Sequence, residues 1–113
     1  MTELMIAYMD ADKAERKRID SDYKKFIAGL PCLVTCRQSV ELHHIRMNNL
    51  PAPFGAGMGL KPADIMCIPL SVDMHRGKLG IHSLGNSNFQ DYHGLHLLYE
   101  LERYHNKFME EKW

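Results

Sequence analysis

The sequence predicts a small α+β domain, a β-hairpin and short helix framed by further helices at both ends. Three observations lead there. "DKAERKRIDSDYKKFIAGLP" is rich in helix formers and runs into Gly29 and Pro31, which stop a helix. Residues 32–37 and 39–45 gather the β-tolerant Leu33, Val34, Val40, Leu42 and Ile45 around a turn, the pattern of two short strands. Near the other end, Leu95, Leu98, Leu101 and Phe108, with Tyr99 and Tyr104, recur at helical spacing and are expected to pack inward.

Taken in order, residues 1–12 read as an arm or a first helix, the start of an N-terminal helical segment extending to residue 28. The basic run that follows, Lys13 to Arg18 with Lys24 and Lys25, is read first as a solvated helix face and second as a phosphate-contacting surface. After the hairpin, "NNLPAPFGAGMGLKP" holds too many prolines and glycines for a regular element and is expected to be a long loop. "DIMCIPLS" is a buried extended segment, and "VDMHRGKLGIHS" starts a helix broken at Gly77 and Gly80. Ser87 is placed to cap a short helix through "NFQDYH", and a longer C-terminal helix follows Gly94 over residues 95–113. His93, His96 and His105 are expected at its surface or boundary.

A chain of 113 residues supports one domain with one modest core. Its 45% hydrophobic and 25% charged residues exclude a disordered or fibrous chain. The longest apolar runs fall far short of the ~20 residues of a membrane span, and the N-terminus carries acids where a signal peptide would be basic, so a cytoplasmic protein is expected. Three cysteines argue against a disulfide framework. "CLVTC" (Cys32, Cys36) and Cys67 are read as small buried hydrophobes in preference to a structural zinc knuckle.

Fourteen Lys and Arg balance fourteen Asp and Glu, so net charge does not mark a nucleic-acid binder. The distribution is less even. Between residues 29 and 90 the only acids are Glu41, Asp64 and Asp73, against Arg37, Arg46, Lys61, Arg76 and Lys78. Seven histidines are the compositional anomaly.

The histidines carry the chemistry. In "ELHHIRMNN" two imidazoles, His43 and His44, stand side by side; Asp64 follows His44 after 20 residues and His75 after 11 more. A neutral imidazole takes a proton from water near neutral pH, and further imidazoles or a carboxylate hold a divalent cation. The stretch "HHIRMNN…GAGMGLKPADIMCIPLSVDMHRGKLGIH" resembles the phage recombination-enhancement (Ref-like) and related prophage HNH nucleases in motif order, spacing and glycine placement, over about residues 30–94.

That resemblance implies a ββα-metal core with added N- and C-terminal helices, and a metal-dependent DNA endonuclease associated with recombination. Carried over residue by residue, it implies His44 as general base, Asp64 as the catalytic residue that braces it, and His43, His75 and His82 as metal positions. Lys61 matches the lysine before the middle Asp, and Arg37, Arg46, Arg76 and Lys78 join it as candidate DNA-backbone contacts. The implied cofactor is a divalent ion, Mg²⁺ first, with Mn²⁺, Ni²⁺ or Zn²⁺ better suited to imidazole ligands. The implied partner is DNA, bare or within a recombinase filament.

Two positions depart from the pattern. Ser71 and Met74 stand where the family has Cys and the first His of "C-x-x-HH", which removes half of a zinc knuckle. The competing reading is a non-catalytic DNA-binding accessory protein that keeps this fold. A histidine-rich metal-binding module without nucleic acid ranks third.

Overall fold

The structure, a computed structural model, describes residues 1–47, 49–55 and 61–112. The architecture is α+β: helices α1 (Glu3–Asp10) and α2 (Lys13–Ala28), strand β1 (Glu41–His44), a 3-10 turn (Asp64–Met66), strand β2 (Cys67–Leu70), then helices α3 (Val72–Arg76), α4 (Ile81–His93) and α5 (Leu97–Lys112). Among the described residues no helix is long and apolar enough to cross a membrane.

Each N-terminal helix starts on a side-chain cap. The Thr2 hydroxyl accepts the Met5 amide, and the Asp12 carboxylate accepts the Glu15 amide at 2.8 Å. Along α2, Ile19, Tyr23, Phe26 and Ile27 share one face and are buried. Phe108 of α5 closes on that face, its ring 5.4 Å from Tyr23 and 5.5 Å from Phe26.

The strands differ from expectation. β1 pairs antiparallel with β2, in the register Glu41↔Leu70 to His44↔Cys67, and residues 32–37 form a turn. Cys36 and Ser39 adopt left-handed backbone (φ 61° and 63°), which ends any extended run there. Only Leu33 touches the sheet by its backbone, its amide donating to Pro69 O at 3.0 Å. β-Branched and apolar residues report a fit to a half-buried surface, not the identity of the partner strand. The "DIMCIPLS" segment supplies that partner because its strand residues Cys67–Leu70 are apolar and all four are buried.

Of the long loop, Asn48 and residues 56–60 lie outside the described residues. The part that precedes those five is anchored, with Phe54 fully buried beside Tyr8. The break expected at Gly77 and Gly80 is present, as the C-cap of α3 and the N-cap of α4. Ser87 caps nothing: it lies inside α4, which is entered at Gly80 and interrupted at Gly85 (φ 81°, ψ 165°), a conformation open to glycine alone. In α5, Tyr99 is exposed and Leu97 takes an inward place. Cys32 and Cys67 are buried as expected, but Cys36 is exposed.

His105 is the largest departure, since it is fully buried. Its Nε2–H donates to Ile65 O at 2.6 Å, and its Nδ1 accepts the Thr2 hydroxyl at 2.7 Å. The carbonyl can only accept, so the proton sits on Nε2. Both ring nitrogens are thereby satisfied, which makes burial of the neutral ring tolerable. Burial lowers its pKa from 6.5 to about 4. The unfolded chain therefore binds a proton that the folded chain refuses between those values. Stability is expected to fall by about 3 kcal/mol as pH drops from 6.5 to 4, and to level below. Chemical denaturation across this window checks it: a His105→Gln variant, less stable at pH 7, should show a shallower pH slope than the parent.

Candidate metal centre and catalytic histidine

Strand pleating separates the two adjacent histidines. Successive side chains point to opposite faces, so His43 and His44 take different partners at the end of β1. Both still line one cleft of about 600 Å³.

His44 meets Asp64. Its Nε2 lies 2.7 Å from Asp64 Oδ1, and both side chains are about one-fifth exposed. Asp64 opens the 3-10 turn, whose next residue, Ile65, is held through its carbonyl by His105. Lys24 of α2 reaches Asp64 Oδ2 at 3.3 Å, and Lys61 stands 3.9 Å from Oδ1. Burial alone would raise the Asp64 carboxyl; the His44 hydrogen bond and the Lys24 ammonium outweigh it and hold the group below its ordinary value. An ionised carboxylate on Nε2 keeps the proton there and leaves the Nδ1 lone pair of a neutral His44 available as a base.

His43, His75 and His82 converge from β1, α3 and α4. Their ring centroids lie 4.5 to 5.1 Å apart, and one nitrogen from each falls within 4.8 Å of the others. His75 Nε2 faces His82 Nε2 at 2.9 Å. Burial, followed by the charges of His75, His82 and His44, lowers His43 to about 3, so this ring stays neutral and able to coordinate.

Glu41, two residues before His43, orients the cluster. Its Oε1 accepts the Nδ1–H of His75 at 2.9 Å, and the Arg76 guanidinium grips both carboxylate oxygens. Arg76 and His75 together hold Glu41 below the ordinary carboxylate range. With the Nδ1 proton committed to Glu41, the Nε2 lone pair of His75 points at the cluster, the carboxylate–imidazole arrangement that orients metal ligands.

Three imidazoles fit a divalent transition ion. At ~2.0–2.1 Å from such an ion their nitrogens would sit about 3.3 Å apart, a small expansion of the His75–His82 spacing. The second group of possible ligands, His44, Asp64 and Cys67, fits less well. Asp64 is already matched by Lys24 and Lys61, and burial pushes the Cys67 thiol up to about 12, so it stays protonated.

Among the expected DNA contacts, Arg46 and Lys61 line the cleft. Arg76 is instead committed to Glu41, while Arg37 and Lys78 are exposed and do not line the cleft. Ser71 caps α3 by accepting the Met74 amide. Sequence reasoning missed three participants. Glu41 was detectable, since it shares a strand face with His43. Lys24 and Asn86, whose side-chain amide donates to Arg46 O at 3.0 Å, come from distant helices and left no local signal. No protein-family model, curated protein or solved structure matches the chain.

Proposed function

We propose that the chain is a metal-dependent DNA endonuclease of the HNH type, associated with phage or prophage recombination. One observation carries the reading: a histidine–carboxylate pair and three convergent imidazoles line or adjoin a single cleft that also presents Arg46 and Lys61, with no carboxylate among its described lining residues. Such a cleft attracts an anion and offers it a base. The order β1, β2, α3, with His43 and His44 on the first strand and His75 on the helix, also supports it.

In this mechanism His44 Nδ1 takes a proton from a water as its oxygen attacks phosphorus in line, and the phosphorus–oxygen bond to the leaving strand breaks. Asp64 stabilises the imidazolium that forms and keeps the ring aimed. Lys61 neutralises a phosphate oxygen as a point charge. His43, His75 and His82 would hold the cation, which supplies charge stabilisation to the pentacoordinate phosphate and the leaving oxygen. Their donor set favours Mn²⁺, Ni²⁺ or Zn²⁺ over Mg²⁺, a hard ion that prefers oxygen.

Nicking of supercoiled plasmid across Mg²⁺, Mn²⁺, Ni²⁺ and Zn²⁺, with a chelator control, tests the activity. Open circles with metal and none with chelator are expected. Absence of nicking across the panel overturns the enzyme reading, and binding without turnover leaves the accessory protein. The cluster is tested separately: Glu41→Gln is expected to weaken metal affinity by ~10–100-fold by titration calorimetry, since the His75 ring loses its anchor. Affinity equal to the parent's would remove Glu41 from the centre.

A further inference from the structure

A second groove, of about 770 Å³, runs along α2 and ends at Asp64, whose carboxylate holds His44 of the first cleft. Its rim carries Lys13, Arg16, Lys17 and Lys24. Positions 13, 17, 20 and 24 fall on one helical face, and Asp20 interrupts the basic series. That interruption is muted. Asp20 accepts the Tyr8 hydroxyl at 2.8 Å, and burial raises its carboxyl above the ordinary value. Arg16 is tied to the Tyr8 and Met9 carbonyls and seals α1 against α2. Lys13 and Lys17 are exposed and have no hydrogen-bond or ion-pair partner among the described residues.

We infer that the basic face of α2 is a docking track for the phosphate backbone of the DNA duplex whose bond is placed at His44. This rests on the proposed nuclease reading and extends it, because among the described residues the first cleft carries two cations, Arg46 and Lys61. Lys24 is the joint between the two grooves: its ammonium lies 3.3 Å from the carboxylate that holds His44. From Lys13 to Lys24 the helix rises roughly 16 Å, the length of about five base pairs. A duplex lying there passes Lys13 and Lys17 before reaching Lys24, Lys61 and the base. The contacts are to phosphates, so they position the strand without reading its sequence.

The test is fluorescence-anisotropy binding of a labelled DNA duplex across a salt series, with a His44→Ala background to prevent cleavage. Lys13→Gln and Lys17→Gln are compared with Lys25→Gln, which makes the same charge change on α2 at a residue that does not line the groove. Lys13→Gln and Lys17→Gln should each weaken binding several-fold and reduce the log–log salt slope by roughly one, equally on unrelated sequences, while Lys25→Gln does neither. In the His44 parent the same two variants should raise KM for nicking and leave kcat unchanged. Behaviour of both variants matching Lys25→Gln overturns the track while nicking by the parent keeps the nuclease reading. Lysine-dependent binding with no nicking under any metal keeps the track and removes the nuclease. Failure of the parent to bind duplex, or tighter lysine-dependent binding to RNA of the same sequence, overturns DNA as the occupant.

Discussion

His44→Ala is expected to lower metal-dependent plasmid nicking by ~10²–10⁴-fold, the contribution typical of a positioned general base. The expectation comes from the hydrogen bond of His44 Nε2 to Asp64, which leaves Nδ1 as the nitrogen able to accept a water proton. The fold should survive, because β1 is held to β2 through its backbone and the His44 ring is part-exposed. DNA affinity and metal affinity should also survive, since His43, His75 and His82 are untouched. Asp64→Asn should lose rate as well, because an amide cannot stabilise the imidazolium, and exogenous imidazole should restore part of the activity of His44→Ala alone. Single-turnover nicking with saturating enzyme measures the step directly. Parental rates in a pure His44→Ala preparation would remove this residue from the mechanism.

Phe108→Ala is expected to destabilise the domain by ~3–5 kcal/mol, a large share of the ~5–15 kcal/mol that holds a domain folded. Phe108 is fully buried and its ring joins α5 to Tyr23 and Phe26 of α2. Truncation leaves a cavity that helices tied at both ends by other contacts can only partly close. The melting temperature should fall by at least ~10 °C. The effect reaches the site indirectly: one turn before Phe108, His105 holds the Ile65 carbonyl next to Asp64. Denaturant titration should show a lower midpoint with an unchanged m-value. Nicking per folded molecule at low temperature should remain close to the parent's.

Periodic and punctuating residues made the helices legible. α2 is bounded by Asp12 and Gly29, and the spacing of Ile19, Tyr23, Phe26 and Ile27 marks its inward face within four turns. The break at Gly77 and Gly80 is local too, because backbone freedom belongs to the residue itself. The four histidines and one acid proposed for the site, His43, His44, His75, His82 and Asp64, are singled out because their order in the chain resembles that of the HNH nucleases. The structure brings them to one end of the sheet, in two groups.

The sequence alone determined α2, most of α5, the break at Gly77 and Gly80 and the α+β class, because propensity and capping act within a few residues; it misplaced the start of α4, which is entered at Gly80 and not capped by Ser87. Only the tertiary structure decided which strand β1 pairs with, since residues 32–34 and 67–70 are both apolar and a strand's partner is set by long-range packing. It also decided the fate of each polar group. His105 is buried because Thr2 and the Ile65 carbonyl, from opposite parts of the chain, satisfy both nitrogens. Arg76 was drawn to Glu41, and Lys24 to Asp64, by charges 35 and 40 residues away. Whether a charge meets solvent, a phosphate or a carboxylate depends on what packing brings within a few ångströms, and Coulomb energy at that range is invisible to any local pattern.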